Sequence, residues 1–248
     1  MKKIVCMTLC VVLAVVFMTG CVILDFSNTG GSGVSGRGSM ETFTFSVGEI
    51  TEVKVEMLCN IVYRSAPSDT VTLKVQPNLM DYISVEESGG VLTVRPTRNL
   101  NISGTGNTPV LTVSSPSLSR VSHAGAGRFT TFDTIVNDEF SLHIAGAAEG
   151  STVLDVQKLS INLAGAGSFE LRGTADSADI RMAGAGALDA LDLQTRSATI
   201  NLSGVGSVKI SCSDSLTIVA GGVGTVEYRG SPTLDISRGG LVTIRQVN

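Results

Sequence analysis

The sequence has no Trp, only 3 Tyr and 8 Phe, and only 2 His in 248 residues. Without aromatic platforms a sugar-gripping cleft is poorly supplied. Two His and five Cys, three of which (Cys6, Cys10 and Cys21) fall within the first 21 residues, leave little material for a metal site, so no metal and no cofactor is expected. Charge is also scarce, at 16% of residues with a formal net of -4. No basic footprint exists for DNA or RNA, which excludes nucleic acid as the expected partner. Beyond the first 24 residues no apolar run approaches the roughly 18 residues of a spanning helix. A 43% apolar fraction is nevertheless enough for a packed core. Glycine is plentiful, at 28 residues, and its distribution organises the chain.

The first segment reads MKKIVCMTLCVVLAVVFMTGC, with Lys2 and Lys3 ahead of the apolar run from Ile4 to Met18. Thr19 and Gly20 lead into Cys21, so residues 1–20 have the charged, apolar and small-residue regions of a secretory signal. Met18-Thr19-Gly20-Cys21 resembles the lipobox of bacterial lipoproteins, which implies cleavage before Cys21 and acylation of its thiol. Acyl chains hold a body at a membrane at about 0.8 kcal/mol per buried CH2. Residues 21–40, which include DFSNTGGSGVSGRGSM from Asp25, read as a Gly/Ser-rich tether, and its last sixteen residues reach roughly 20 Å as a coil. The expected address is the cell envelope, with the N-terminal lipid in the membrane.

From residue 118 to 248 the chain repeats. The copies are VSHAGAGRF from Val121, LHIAGAAEG from Leu142, INLAGAGSF from Ile161, IRMAGAGAL from Ile180, INLSGVGSV from Ile200 and IVAGGVGTV from Ile218. Their first glycines, Gly125, Gly146, Gly165, Gly184, Gly204 and Gly222, are spaced by 21, 19, 19, 20 and 18 residues, and Gly240 continues the register. Four and two residues before each glycine stand mostly aliphatic side chains, with mostly polar ones between them, which is the period of a strand with one buried face. A repeat this short cannot close a core alone, so successive repeats must stack. The fold class expected is an all-β, right-handed parallel β-helix with about 19 residues per coil. The bends place Gly125, Gly127, Gly146, Gly165, Gly167, Gly184, Gly186, Gly204, Gly206, Gly222 and Gly224 at corners where a Cβ lacks room or φ is positive.

Residues 41–117 alternate as strands do, in Glu41–Val47, Glu52–Met57, Thr70–Val75 and Val91–Arg95, but lack the repeat. They are expected to form a less regular β segment that begins the solenoid or covers its first coil. The order of lipobox, Gly/Ser tether, alternating half, Pro116-Ser117-Leu118-Ser119-Arg120-Val121 and serial AGAG bends resembles the "putative auto-transporter adhesin head GIN domain" family, typical of Bacteroidetes, over about residues 41–245. The resemblance implies a β-helical, non-enzymatic envelope protein with an adhesive role. No membrane barrel is expected after the last coil, so the secretion part of the family name is not carried over.

Chemistry is sparse. Gly125-Ala126-Gly127 lacks the third glycine and the following helix of a phosphate loop. Val226 stands where a calcium nonapeptide needs Asp. Glu170, Asp189, Lys209 and Glu227 fall in one outward row five residues after the glycine, and ladder pairing is the simpler account of them than catalysis. His123 and His143 have opposite parities, inward and outward. Cys59 and Cys212 either bridge in an oxidising envelope or stay buried as free thiols. The function expected is a lipoprotein presenting a rigid β-helix in an adhesin-like or scaffolding role, to an envelope or host macromolecule or a glycan. The competing reading is a β-helical enzyme that binds or cleaves glycans with the charged row. Flat walls and solenoid ends also leave room for a homo-oligomer.

Overall fold

Alternating aliphatic and polar residues satisfy a strand only if one face is dry, and the chain dries that face by winding. The computed structural model describes residues 33–104 and 106–248. The signal-like segment 1–20, Cys21 and residues 22–32 of the tether lie outside the described residues. Strands β10 (Arg120–His123) and β11 (Ala126–Thr131) flank the first AGAG bend. Strand β12 (Ile135–Ile144) completes that winding, and β13 (Ala147–Leu163), β14 (Ala166–Met182), β15 (Ala185–Leu202) and β16 (Val205–Ala220) each run from one corner round to the next. The winding ends in β17 (Val223–Arg229), β18 (Thr233–Arg238) and β19 (Leu241–Gln246). Pairing between successive windings is parallel throughout, with Leu142 beside Ile161, Ile161 beside Ile180, Ile180 beside Ile200 and Ile200 beside Ile218. The result is a β-solenoid of seven glycine-cornered rungs, spaced about 4.8 Å apart by strand pairing.

Each rung has three walls. The first ends at the glycine corner and the second begins there. The third occupies the stretches, such as Arg172–Ser177, that the sequence pattern shows only as polar returns. They pair as strands because they too alternate: Leu154, Val156, Ala175, Leu193, Thr195 and Cys212 point inward and are buried, while Asp155, Thr174 and Gln194 point out. Inside the second wall Phe129, Gly150 and Phe169 lie on consecutive rungs, and the missing side chain of Gly150 leaves room for the Phe169 ring. Unequal repeat lengths are absorbed locally, since the register against β16 jumps between Ala190 and Gln194 and leaves Leu191–Leu193 as a bulge with no partner on that strand, while Asp192 and Leu193 stay paired with β14.

The front half extends this stack out of chain order. Strand β3 (Glu52–Val55) pairs in parallel with β10, and β4 (Asn60–Ser65) with β11, making one more rung. Beyond it lie β7 (Val91–Pro96) on β3 and β9 (Val110–Ser115) on β4. That outer rung is closed by antiparallel strands, β6 (Ile83–Ser88) on β7 and β5 (Thr70–Val75) on β9, with β2 (Glu41–Phe45) on β5. The one-turn helix α1 (Pro77–Met80) plugs Leu79 into the same end. Within the stretch read as tether, β1 (Val34–Ser35) pairs with β8 (Leu100–Asn101), and the Arg37 N–H donates to Asn78 Oδ1 at 2.8 Å. Residues 34–38 are thus strapped to the capped end, where the buried Gln76 amide also donates to the Gly38 carbonyl at 3.0 Å.

The corners depend on space more than on unusual φ. The Gly146 carbonyl accepts the Ala166 N–H of the next rung at 2.9 Å, Gly165 accepts from Ala185 at 3.0 Å and Gly184 from Val205 at 3.0 Å. A carbonyl held in that bond points along the stack into the volume that a Cβ on the next glycine would fill. A Cβ on Gly165 would overlap the Gly146 oxygen, one on Gly184 the Gly165 oxygen, and the clash repeats through Gly204, Gly222 and Gly240. Positive φ belongs to the second column, at Gly127, Gly167 and Gly224, where Ala148 and Val242 also occur. Gly165→Val or Gly184→Val is expected to cost about 3 kcal/mol or more, roughly 6–12 °C in Tm. Exposed Ser168→Val should stay within about 0.5 kcal/mol. Thermal unfolding of the three variants measures the difference, and equal losses would contradict the column.

His123 sits at the base of this column, fully buried, with Nε2 3.2 Å from the Met57 carbonyl. Because a carbonyl only accepts, Nε2 carries the hydrogen and Nδ1, which has no partner, is left bare. Burial pushes the His123 pKa below its ordinary 6.5, and the Met57 carbonyl partly offsets this. The unfolded chain therefore binds a proton before the folded one as pH falls through 6.5, so stability is full above that value and is lost below it. His123→Leu should lower stability at pH 7.5 but flatten the decline between pH 6.5 and 5, read as urea midpoints. An unchanged acid slope would remove His123 from the account.

Candidate functional surface

Equal rungs put equivalent residues in rows, so each outward wall is a repeated motif at strand spacing. On the second wall Glu170, Asp189, Lys209, Glu227 and Arg245 stand side by side in register, as the sequence spacing anticipates for the first four. Each carboxylate in the row has a cation. Glu170 accepts from Arg172 of its own strand, Asp189 is 3.1 Å from Lys209 Nζ, and Glu227 is paired with Arg245. The hydrogen bond that Lys209 donates to Asp189 raises the pKa of the ammonium above the ordinary lysine value, as the Asp189 charge also does. Arg128 and Glu149 form a further pair one row nearer the corner. These exposed pairs contribute little stability, and their main effect is to cancel one another's charge along the wall. A carboxylate already bonded to a neighbouring cation is poorly placed to serve as a raised-pKa acid, which glycoside cleavage needs.

The first wall carries rows rich in Ser and Thr, with Lys158 paired to Glu139 and Asp179 to Arg181. Ser141, Ser160, Asp179, Thr199 and Thr217 form one, and Lys158, Ser177, Ser197 and Ser215 form its neighbour. Together they line a shallow groove of about 570 Å³. His143 lies on this wall beside Asn162 and faces out, opposite in parity to His123.

A wider concavity lies on the third wall, a groove of about 1270 Å³ lined among others by Asp155, Thr174, Asp176, Gln194, Arg196 and Arg229. The Leu191–Leu193 bulge shapes one flank, and Arg229 reaches back to donate to the Leu191 carbonyl at 3.2 Å. Thr174 bonds Asp155 at 2.7 Å, and Gln157 bonds Asp138 at 2.8 Å across adjacent rungs. Sequence reasoning missed this groove. The inward alternation of Leu154, Val156, Leu193 and Cys212 was the available signal for a third wall, and the change in repeat length from 20 to 18 was the signal for a bulge.

The thiols are placed plainly. Cys59 and Cys212 are both buried and free, on different rungs, and burial pushes the Cys59 thiol up to about 12. Tyr228 packs partly buried against the core. Among the described residues no group of three or more His, Cys, Asp or Glu is arranged to hold a metal ion, and no helix is long and apolar enough to cross a membrane.

Solved structures share the fold. A crystal structure described as a putative adhesin from Bacteroides fragilis superposes with a TM-score of 0.81 at 23% identity, covering 87% of this chain and 100% of that one. A putative adhesin from Parabacteroides merdae and a "putative lipid binding protein" from Parabacteroides distasonis each give a TM-score of 0.66 at 22% identity, covering 87% of this chain and 99% of theirs. No curated protein matches the sequence. The family model described as "Putative auto-transporter adhesin, head GIN domain" matches residues 49–232, and the chain belongs to that family.

Proposed function

We propose that the protein is a lipid-anchored component of the cell envelope whose β-solenoid presents its polar walls to another macromolecule, in an adhesin-like or scaffolding role without catalysis. The observation that carries this reading is the self-neutralised second wall. Glu170, Asp189 and Glu227 are engaged by Arg172, Lys209 and Arg245 respectively, and the other walls offer hydroxyls and amides interspersed with further charged side chains, all fixed to a dry core. Such rows are rigid because, short of the last rung, each side chain stems from a strand bonded on both edges, so a partner meets a preorganised surface. Membership of an adhesin-head family supports the same reading. Acylation of Cys21 would fix the solenoid at the membrane, and residues 22–32 would give it reach.

Two measurements test the proposal. Cys21→Ser is expected to move the protein from the membrane fraction to the soluble fraction and to abolish labelling by a radioactive fatty acid. On a glycan array and on immobilised host-surface proteins, the full chain is expected to be retained without altering what it binds. Release of cleaved sugar that disappears in Glu170→Gln or Asp189→Asn would establish the enzymatic reading instead.

A further inference from the structure

The two ends of the stack are treated differently. The end bearing β7 and β9 is covered by antiparallel strands and by Leu79 of α1. At the other end β18 pairs only with β16 and β19 only with β17 among the described strands, so each leaves one backbone edge unpaired. Leu234 and Ile236 continue the inward rows of Leu216 and Ile218, yet they are 40% and 37% exposed where their predecessors are fully buried. The outward corner row, which is Ala147, Ala166 and Ala185 on earlier rungs, turns to Val205, Val223 and Leu241. With Val219, six of the eight large exposed apolar side chains among the described residues lie in these last rungs. An open edge with an apolar rim is what sheet proteins cover when it has no partner.

We propose that this end is a homophilic contact, joined to the same end of a second copy about a two-fold axis. An axis parallel to the last rung, half a strand spacing (about 2.4 Å) beyond it and directed through the Gly239–Gly240 corner, lays β18 of one copy antiparallel on β19 of the other, and β19 on β18. Residues directly opposite in an antiparallel pair share a face, so inward must meet inward. Placing Ile236 opposite Val242 of the second copy also places Leu234 opposite Ile244, and the two dry interiors become one. In that register Asp235 falls opposite Thr243 and diagonal to Arg245 of the second copy, within reach of its long side chain. Asp235 forms no ion pair within its own chain among the described residues, and Arg245 is 63% exposed beyond its contact with Glu227. The self-complementarity is that of an isologous interface. Arg238 takes the inward corner position that Ala220 holds one rung earlier and is exposed there.

The contact does not depend on what the walls bind, so its test is separate from that of the proposed function. Sedimentation of the full chain in detergent should show a reversible dimer. Asp235→Arg alone sets arginine against arginine, and Arg245→Asp alone sets aspartate against aspartate; each should weaken association about tenfold or more. An equimolar mixture of the two variants restores both opposite-charge contacts and should dimerise close to the wild-type midpoint, which a folding defect cannot reproduce. Ile236→Lys should give a monomer with an unchanged circular dichroism spectrum. A wild-type monomer at the highest attainable concentration, or a mixture no tighter than its components, overturns the proposal.

Discussion

The structure depends on one contact repeated at every winding, between the carbonyl of a corner glycine and the space above it. That carbonyl cannot turn aside because it accepts an N–H from the next rung, as Gly165 does from Ala185. The next rung can descend to that hydrogen bond only if the residue directly over the oxygen has no Cβ. Glycine is thus required by close approach and not by its freedom in φ, and the requirement passes from rung to rung. A corner built this way holds the first two walls in a constant relation, which is why the aliphatic rows on both meet in one interior.

Constant rung geometry has a direct consequence for the surface. Side chains at equivalent positions become neighbours at strand spacing whatever their identity, so a charge on one rung must be answered within the next one or two. Along the second wall the answers come from Lys209 and Arg245, and from Arg172 on the same strand as Glu170. The first wall carries fewer charges among its Ser and Thr, and answers them in the pairs Lys158–Glu139 and Arg181–Asp179. Neither solution concentrates reactive groups, and both produce long, flat, patterned surfaces. Such surfaces suit recognition of extended partners by many modest contacts better than transformation of a small substrate.

What could be read from the sequence follows from which features repeat. The glycine register and the row Glu170, Asp189, Lys209, Glu227 recur at nearly fixed spacing, so rung and neighbour were both legible. The third wall was hidden because its inward residues are mixed in size and kind, from Leu154 to Ala175 to Thr195, and because the Leu191–Leu193 bulge breaks the period. In the front half, alternation identified strands such as Glu52–Val55 and Val91–Pro96 but could not order them. Parallel pairing between β3 and β7 leaves no mark in either sequence, and the rung formed first in the chain ends up inside the one formed later. The fate of Cys59 and Cys212 was likewise set by winding, which put them on separate rungs.

That out-of-order winding also explains the asymmetry of the stack. A chain entering at β3 can reverse over its own first rung with β5, β6 and α1 and so seal that end before the repeats begin, using antiparallel strands that need only short turns. A chain that simply continues its repeats has no such option at the other end, because every further rung presents the same open edges as the last. Glycine corners perpetuate the edge; only a change of rule can end it. The last rung shows partial measures, with Arg238 in an inward row, while Leu234, Ile236 and Leu241 stay apolar although 40%, 37% and 80% exposed. Aliphatic side chains kept at an edge that does not bury them within one chain are best accounted for by burial between two.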